Sequence, residues 1–146
     1  MCLYVDRKVH ETAYTPLKAH RDIKCYKALI ACYNPATKEV DYISPFYAKD
    51  WKIGEIQEAT QIWNRNKSIV EDGYFHSYSL EEDAQKLARS LRYPPVIAKC
   101  IIPEGSEYYV GTDNECKPCY ASKQLVVKEI KEAKDFRAMG IKKGAE

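Results

Sequence analysis

The chain has 146 residues, of which 45% are hydrophobic and 30% charged, with a formal net charge of +2. That is material for one domain, and a domain near this size buries roughly 70% of the surface its unfolded chain exposes, enough for a core without metal or disulfides. The balance of charge excludes a strongly basic nucleic-acid tail and an acidic disordered chain, and no apolar run approaches the ~20 residues of a membrane span.

Residues 1–22 keep no hydrophobic period, with His10, Pro16 and His20 among polar neighbours, and read as a weakly structured N-terminal arm. Residues 23–33, rich in Tyr, Ile and Leu, predict a strand with Tyr26, Ala28, Ile30 and Cys32 on one face. Pro35 forces Asn34 out of the helical region, so 34–37 is a turn, and the alternation over 39–44 makes the second arm of a hairpin. Residues 46–68 hold Trp51, Ile53, Ile56, Ile62 and Trp63 without a clean period and suggest an extended connector with a short helix near 55–60. Short strands are expected at 68–70 and 73–78, around an Asp72-Gly73 turn.

The best local signal is a helix over about 80–92. Ser79-Leu80-Glu81-Glu82 reads as a capping box, in which a hydroxyl takes a free helix amide and a glutamate reaches back. Leu80, Ala84, Leu87, Ala88 and Leu91 then share one helical face. Tyr93-Pro94-Pro95 stops the helix, and 96–102 is a strand apolar on both faces, hence central in its sheet. A turn at 103–106, a strand at 107–110, a polar loop at 111–118, a strand at 124–130 and a short charged helix at 132–139 complete the chain. The order predicts an α+β domain over 23–130, a single mostly antiparallel sheet with one strong helix, followed by a charged C-terminal helix and tail over 131–146.

Six cysteines invite a disulfide framework, but the start Met-Cys-Leu-Tyr-Val-Asp-Arg-Lys has charge where an export signal is apolar, so reduced thiols and a cytoplasmic setting are expected. Cys25, Cys32 and Cys100 read as small buried hydrophobes. Cys116-Lys117-Pro118-Cys119 has the spacing of a shared zinc or a redox pair, but no second ligand pair accompanies it, so the reading is a loop with free thiols. His76, beside Ser77 and Tyr78 at a strand-to-helix junction, is a candidate ligand contact, since free amides at a helix start attract anions. The lysines near the C-terminus alternate with Glu129, Glu132 and Asp135, which suggests a solvated face and no nucleic-acid partner.

Two resemblances follow from particular residues. Asp72-Gly73-Tyr74-Phe75-His76-Ser77-Tyr78, the helix, the segment from Val96 to Tyr109 with its Ile102-Pro103-Glu104-Gly105, and Tyr120-Ala121-Ser122-Lys123 resemble short proteins of bacteriophages and gut bacteria. That resemblance spans about residues 23–130 and implies an accessory protein of phage or mobile-element type, working in the host cytoplasm if phage-encoded, without naming an activity. A fainter one is to the ADP-ribosyltransferase fold. There Tyr26-Lys27 stands where an early-strand Arg or His is expected, Ser77-Tyr78-Ser79 where a motif precedes a helix, and Glu129 where a late-strand glutamate belongs.

The leading expectation is a small non-enzymatic protein binding a small ligand, nucleotide-derived ones included, or a host protein, through Tyr26, His76, Ser77 and Tyr78. It needs no cofactor. The alternative is an ADP-ribosyltransferase-like enzyme acting on NAD with Ser77, Tyr78 and Glu129, and the second alternative is a structural or interaction module.

Overall fold

The computed structural model describes residues 3–10, 15–44, 50–59, 69–70, 74–91 and 94–133. Among these, twelve strands form one sheet and there is one helix. In chain order the elements are β1 (Leu3–Val5), β2 (Leu17–Lys18), β3 (Ile23–Asn34), β4 (Glu39–Ile43), β5 (Asp50–Trp51), β6 (Ile56–Glu58), β7 (Ile69–Val70), β8 (Phe75–Tyr78), α1 (Glu81–Arg89), β9 (Pro95–Ile102), β10 (Glu107–Thr112), β11 (Pro118–Ser122) and β12 (Gln124–Glu132).

The main path of the sheet runs β6-β12-β9-β3-β8-β11-β10-β1-β7, and every strand pairing is antiparallel. The twelve-residue β3 is the hinge of this arrangement. One of its edges pairs with β9 from Ile23↔Ile102 to Ile30↔Pro95; the other is shared between β8, at Tyr26↔Tyr78, and the hairpin partner β4, from Ile30↔Ile43 to Asn34↔Glu39. The sheet is apolar on both sides because successive side chains of each strand point opposite ways. Ala28, Ile97, Tyr78, Cys119, Ala121 and Tyr109 pack on one face with Ala84 and Ala88 of α1. Cys25, Leu29, Ala98, Cys100, Ile102, Leu125, Val127 and Trp51 pack on the other.

The helix is shorter than its sequence signal and starts one residue later. Its N-cap is Leu80, in extended conformation, with no side-chain cap hydrogen bond. Ser79 is drawn away instead: its amide donates to the Pro118 carbonyl at 3.2 Å and its hydroxyl to the same oxygen at 3.4 Å. The pairing of β8 with β11 therefore continues past Tyr78 and outcompetes the local cap. Leu80 is exposed, while Ala84 and Ala88 are buried and Leu87 and Leu91 half-buried. Lys131 of β12 closes on Glu81 at 2.6 Å, which ties the helix start to the sheet.

Four other expectations change. Two stretches of the N-terminal arm join the sheet: β1 sits between β10 and β7, and β2 also pairs with β10. His10, 1% exposed, accepts the Val110 N–H at Nε2 (2.9 Å), which places its proton on Nδ1, facing the Thr15 carbonyl at 3.0 Å. A glycine makes room for β1, since a Cβ on Gly111 would lie 2.1 Å from the Tyr4 carbonyl oxygen. The helix expected near 55–60 is a strand, Ile56–Glu58, because Gln124, Leu125 and Val126 offer an open edge to pair with. The polar loop expected at 111–118 shrinks to 113–117, and Pro118–Ser122 is a strand that periodicity did not reveal. The second helix expected from 132 is not seen: Glu132 closes β12, and 134–146 lie outside the described residues. The Asp72-Gly73 turn also lies outside them.

Candidate functional site

Strand pairing brings the four expected ligand-contact residues together, and strand alternation divides them. Tyr26 faces Tyr78 across β3 and β8. His76 pairs with Ala121, and Tyr78 with Cys119, so both side chains point to the helix side, where Ala121 and Cys119 pack. Ser77 pairs with Tyr120 and points the other way. His76, Ser77 and Tyr78 are all buried, and Tyr26 is half-buried.

On the helix side several polar groups are linked through Asp113. The Tyr78 hydroxyl donates to Asp113 Oδ2 at 3.0 Å, and the Glu115 and Lys117 amides donate to Asp113 Oδ1 at 2.9 Å each. Lys117 Nζ lies 3.9 Å from Asp83 Oδ1 of α1. Burial, then the Asp113 bond, holds the Tyr78 phenol well above its ordinary value. Burial, with Asp113 and Asp83 nearby, pushes the Cys119 thiol up to about 12. The set pins the 113–117 loop between β8 and α1. It also separates the two thiols of the Cys116–Cys119 spacing: Cys116 is exposed, with a left-handed φ of 62°, whereas Cys119 is 1% exposed beneath the helix. Among the described residues no group of three or more possible metal ligands forms.

The opposite side has different chemistry. Cys25 and Cys100 are directly opposed in β3 and β9, at 1% and 2% exposure. Lys27 lies two residues along β3 on the same side, half-buried. Its Nζ donates to the His76 carbonyl at 2.5 Å and sits 5.7 Å from the centroid of the Trp51 ring. Trp51 is fixed by its indole N–H donating to Ser44 Oγ at 2.7 Å and by an edge contact with Phe75 at 4.9 Å. Among the described residues no carboxylate pairs with Lys27. Burial lowers the Lys27 pKa, and the Cys100 and Cys25 sulfurs oppose that shift. Burial alone would raise Cys25, but contact with the Cys100 thiol and the Ser77 hydroxyl, with the Lys27 charge, outweighs it, so Cys25 moves down. Cys100 moves up, through its contact with Cys25 and then burial. This side thus holds a cation, two thiols, a hydroxyl and an indole.

Glu129 stands apart. The register Glu129↔Lys99, Lys99↔Tyr26, Tyr26↔Tyr78 puts it in one row with the two tyrosines, on the helix side of the sheet. Three strand spacings place it roughly 14 Å from Tyr78 along that row. Its carboxylate is exposed and lies 3.8 Å from Lys99 Nζ. Ser77, Tyr78 and Glu129 therefore do not converge on one point.

Comparisons with family models, curated proteins and solved structures return no match. No helix among the described residues is long and apolar enough to cross a membrane.

Lys27 and its neighbours form the group that the sequence reading did not assemble. One signal was present: on the Cys25-Lys27-Leu29 face of a strand that is otherwise apolar, a single lysine stands where a hydrophobe is expected. Trp51 carried no such signal, since it reaches Lys27 only through the pairing of β5 with β4.

Proposed function

We propose that the chain is a small binding protein whose ligand presents an anionic group to Lys27, with Ser77 and the Trp51 ring beside it. The observation that carries this reading is a half-buried lysine whose ammonium meets one carbonyl and one aromatic face, with no carboxylate partner among the described residues. An ammonium taken out of water costs several kcal/mol unless it is paired, and one carbonyl with one aromatic face offsets only part of that. A phosphate or carboxylate would complete the balance. Nucleotide-derived ligands are the first class to test, because they join such a group to a ring that can lie against aromatic side chains. The assignment to an accessory protein of phage or mobile-element type rests on the sequence resemblance.

Native mass spectrometry of the full chain with a panel of nucleotides, NAD and inorganic phosphate tests the reading. A bound species is expected with the parent protein and not with Lys27→Met. No binding by the parent, or equal binding by the variant, overturns it; a host protein would then be the partner to seek.

An ADP-ribosyltransferase-like reaction would need Ser77, Tyr78 and Glu129 around one NAD. The alternation along β8 and the Glu129–Lys99 pair weigh against it. Transfer from labelled NAD, abolished by Glu129→Gln, would reinstate it.

A further inference from the structure

We propose that Cys25 and Cys100 are a peroxide-oxidisable thiol pair that closes into a cross-strand disulfide, with Cys25 as the attacking sulfur and Cys100 as the resolving one. This goes beyond the ligand reading and does not depend on it.

The placement comes from the fold. Directly opposed residues in antiparallel strands have Cα atoms about 4.5 or 5.5 Å apart, within the roughly 4.4–6.8 Å span of disulfides. Cys25↔Cys100 is such a pair, set in the longest ladder of the sheet, so register and facing direction are both fixed. Strand alternation sends both side chains to the same face, and the Cys100 thiol donates to the Ala98 carbonyl at 3.6 Å. The roles follow from the surroundings. A thiolate is the nucleophile, and a neighbouring cation favours it. Cys25 shares its strand and face with Lys27 two residues on, which favours its thiolate, whereas the Cys100 thiol donates its proton to the Ala98 carbonyl. Both sulfurs are buried, so the oxidant must be as small as hydrogen peroxide, and Lys27 beside them is the half-buried residue of this face. None of the other described cysteines has this setting: Cys119 is held as a thiol under the helix, Cys116 is exposed in a loop, and Cys32 is half-buried near the far end of β3.

The chemistry is a two-electron oxidation with a peroxide as the oxidant. The Cys25 thiolate attacks one peroxide oxygen, the O–O bond breaks, and the departing hydroxide takes a proton and leaves as water. Cys25 is then a sulfenic acid. The Cys100 sulfur attacks the Cys25 sulfur, the S–O bond breaks, and the hydroxyl leaves as a second water with the Cys100 proton. Two thiols and one hydrogen peroxide give one disulfide and two waters. Direct cross-strand closure draws the two Cβ atoms nearer than the ladder holds them, which makes the bond easier to reduce than a structural disulfide.

The test uses the full chain, fully reduced and then treated with hydrogen peroxide. Intact mass under non-reducing conditions should fall by two hydrogens, and digestion should yield one cross-linked peptide pair joining Cys25 to Cys100, reversed by a thiol reductant. With Cys100→Ser, dimedone should label Cys25. Lys27→Met should slow the parent reaction about tenfold, as the thiolate loses its cation. The proposal is overturned if Cys25 and Cys100 remain thiols while exposed Cys116 oxidises, or if the cross-link joins other cysteines. The parent measurement stands without any variant, so a misfolded substitution does not shield the idea.

Discussion

Replacing Lys27 by Met should stabilise the fold. The ammonium loses several kcal/mol of hydration where it lies between the His76 carbonyl and the Trp51 ring. It regains about 1.5–3 kcal/mol from the charge-assisted bond to the His76 carbonyl and about 0.5–2 from the Trp51 face. Methionine keeps nearly the same length and volume against Trp51 and leaves no charge to pair. The expected net gain is about 1–2 kcal/mol at neutral pH, or roughly 0.5–1 M in the urea midpoint for a domain of this size. The gain should also depend on pH. Because the folded-state pKa of Lys27 lies below the unfolded 10.5, the folded protein sheds this proton first as pH rises. The parent's penalty is therefore complete below the folded pKa and fades as pH climbs toward 10.5, and the advantage of Lys27→Met shrinks with it. Urea unfolding followed by circular dichroism, at about pH 7 and about pH 10, reads both quantities. A variant destabilised at neutral pH, or one with a gain that does not change with pH, would refute the reasoning.

Other predictions follow from the rest of the fold. Gly111→Ala should cost about 3 kcal/mol, because its methyl would meet the Tyr4 carbonyl oxygen at 2.1 Å and part β1 from β10; the urea midpoint checks it. Tyr78→Phe removes the donor to buried Asp113 and should cost about 2 kcal/mol by the same assay. Near pH 9, iodoacetamide should label Cys116 and leave Cys119 in the folded protein, since a thiol pushed up to about 12 is ionised in roughly one molecule in a thousand. Because that folded value lies above the unfolded 9.0, the stability tied to the Cys119 thiol is intact below 9.0 and falls as pH rises toward about 12; Cys119→Ala should remove that part of the alkaline decline.

The long strands were legible because their signals are local. Residues 23–33 and 96–102 are rich in apolar and strand-forming residues, and both became the centre of the sheet as β3 and β9. The helix was legible from its alanine and leucine spacing, but its cap was not, because Ser79 is committed to a strand partner some 40 residues away in the chain. Short strands such as Leu3–Val5, Ile56–Glu58 and Pro118–Ser122 carry too few residues for a period and exist only because a neighbouring strand offers an edge. The site divides in the same way. His76, Ser77 and Tyr78 were visible as a junction, yet alternation along four residues sends them to two different faces. Lys27, Cys25 and Cys100 meet through register alone, and only Lys27 stood out in its own strand.

Under the proposed function Lys27 is a cation awaiting an anion, and NMR of isotopically labelled lysine side chains tests that directly. In the free protein Lys27 should titrate below the ordinary 10.5, and addition of the nucleotide or phosphate that binds should move its titration back upward as the ammonium gains a partner. A Lys27 signal that titrates with the surface lysines and ignores every anion offered would contradict the account.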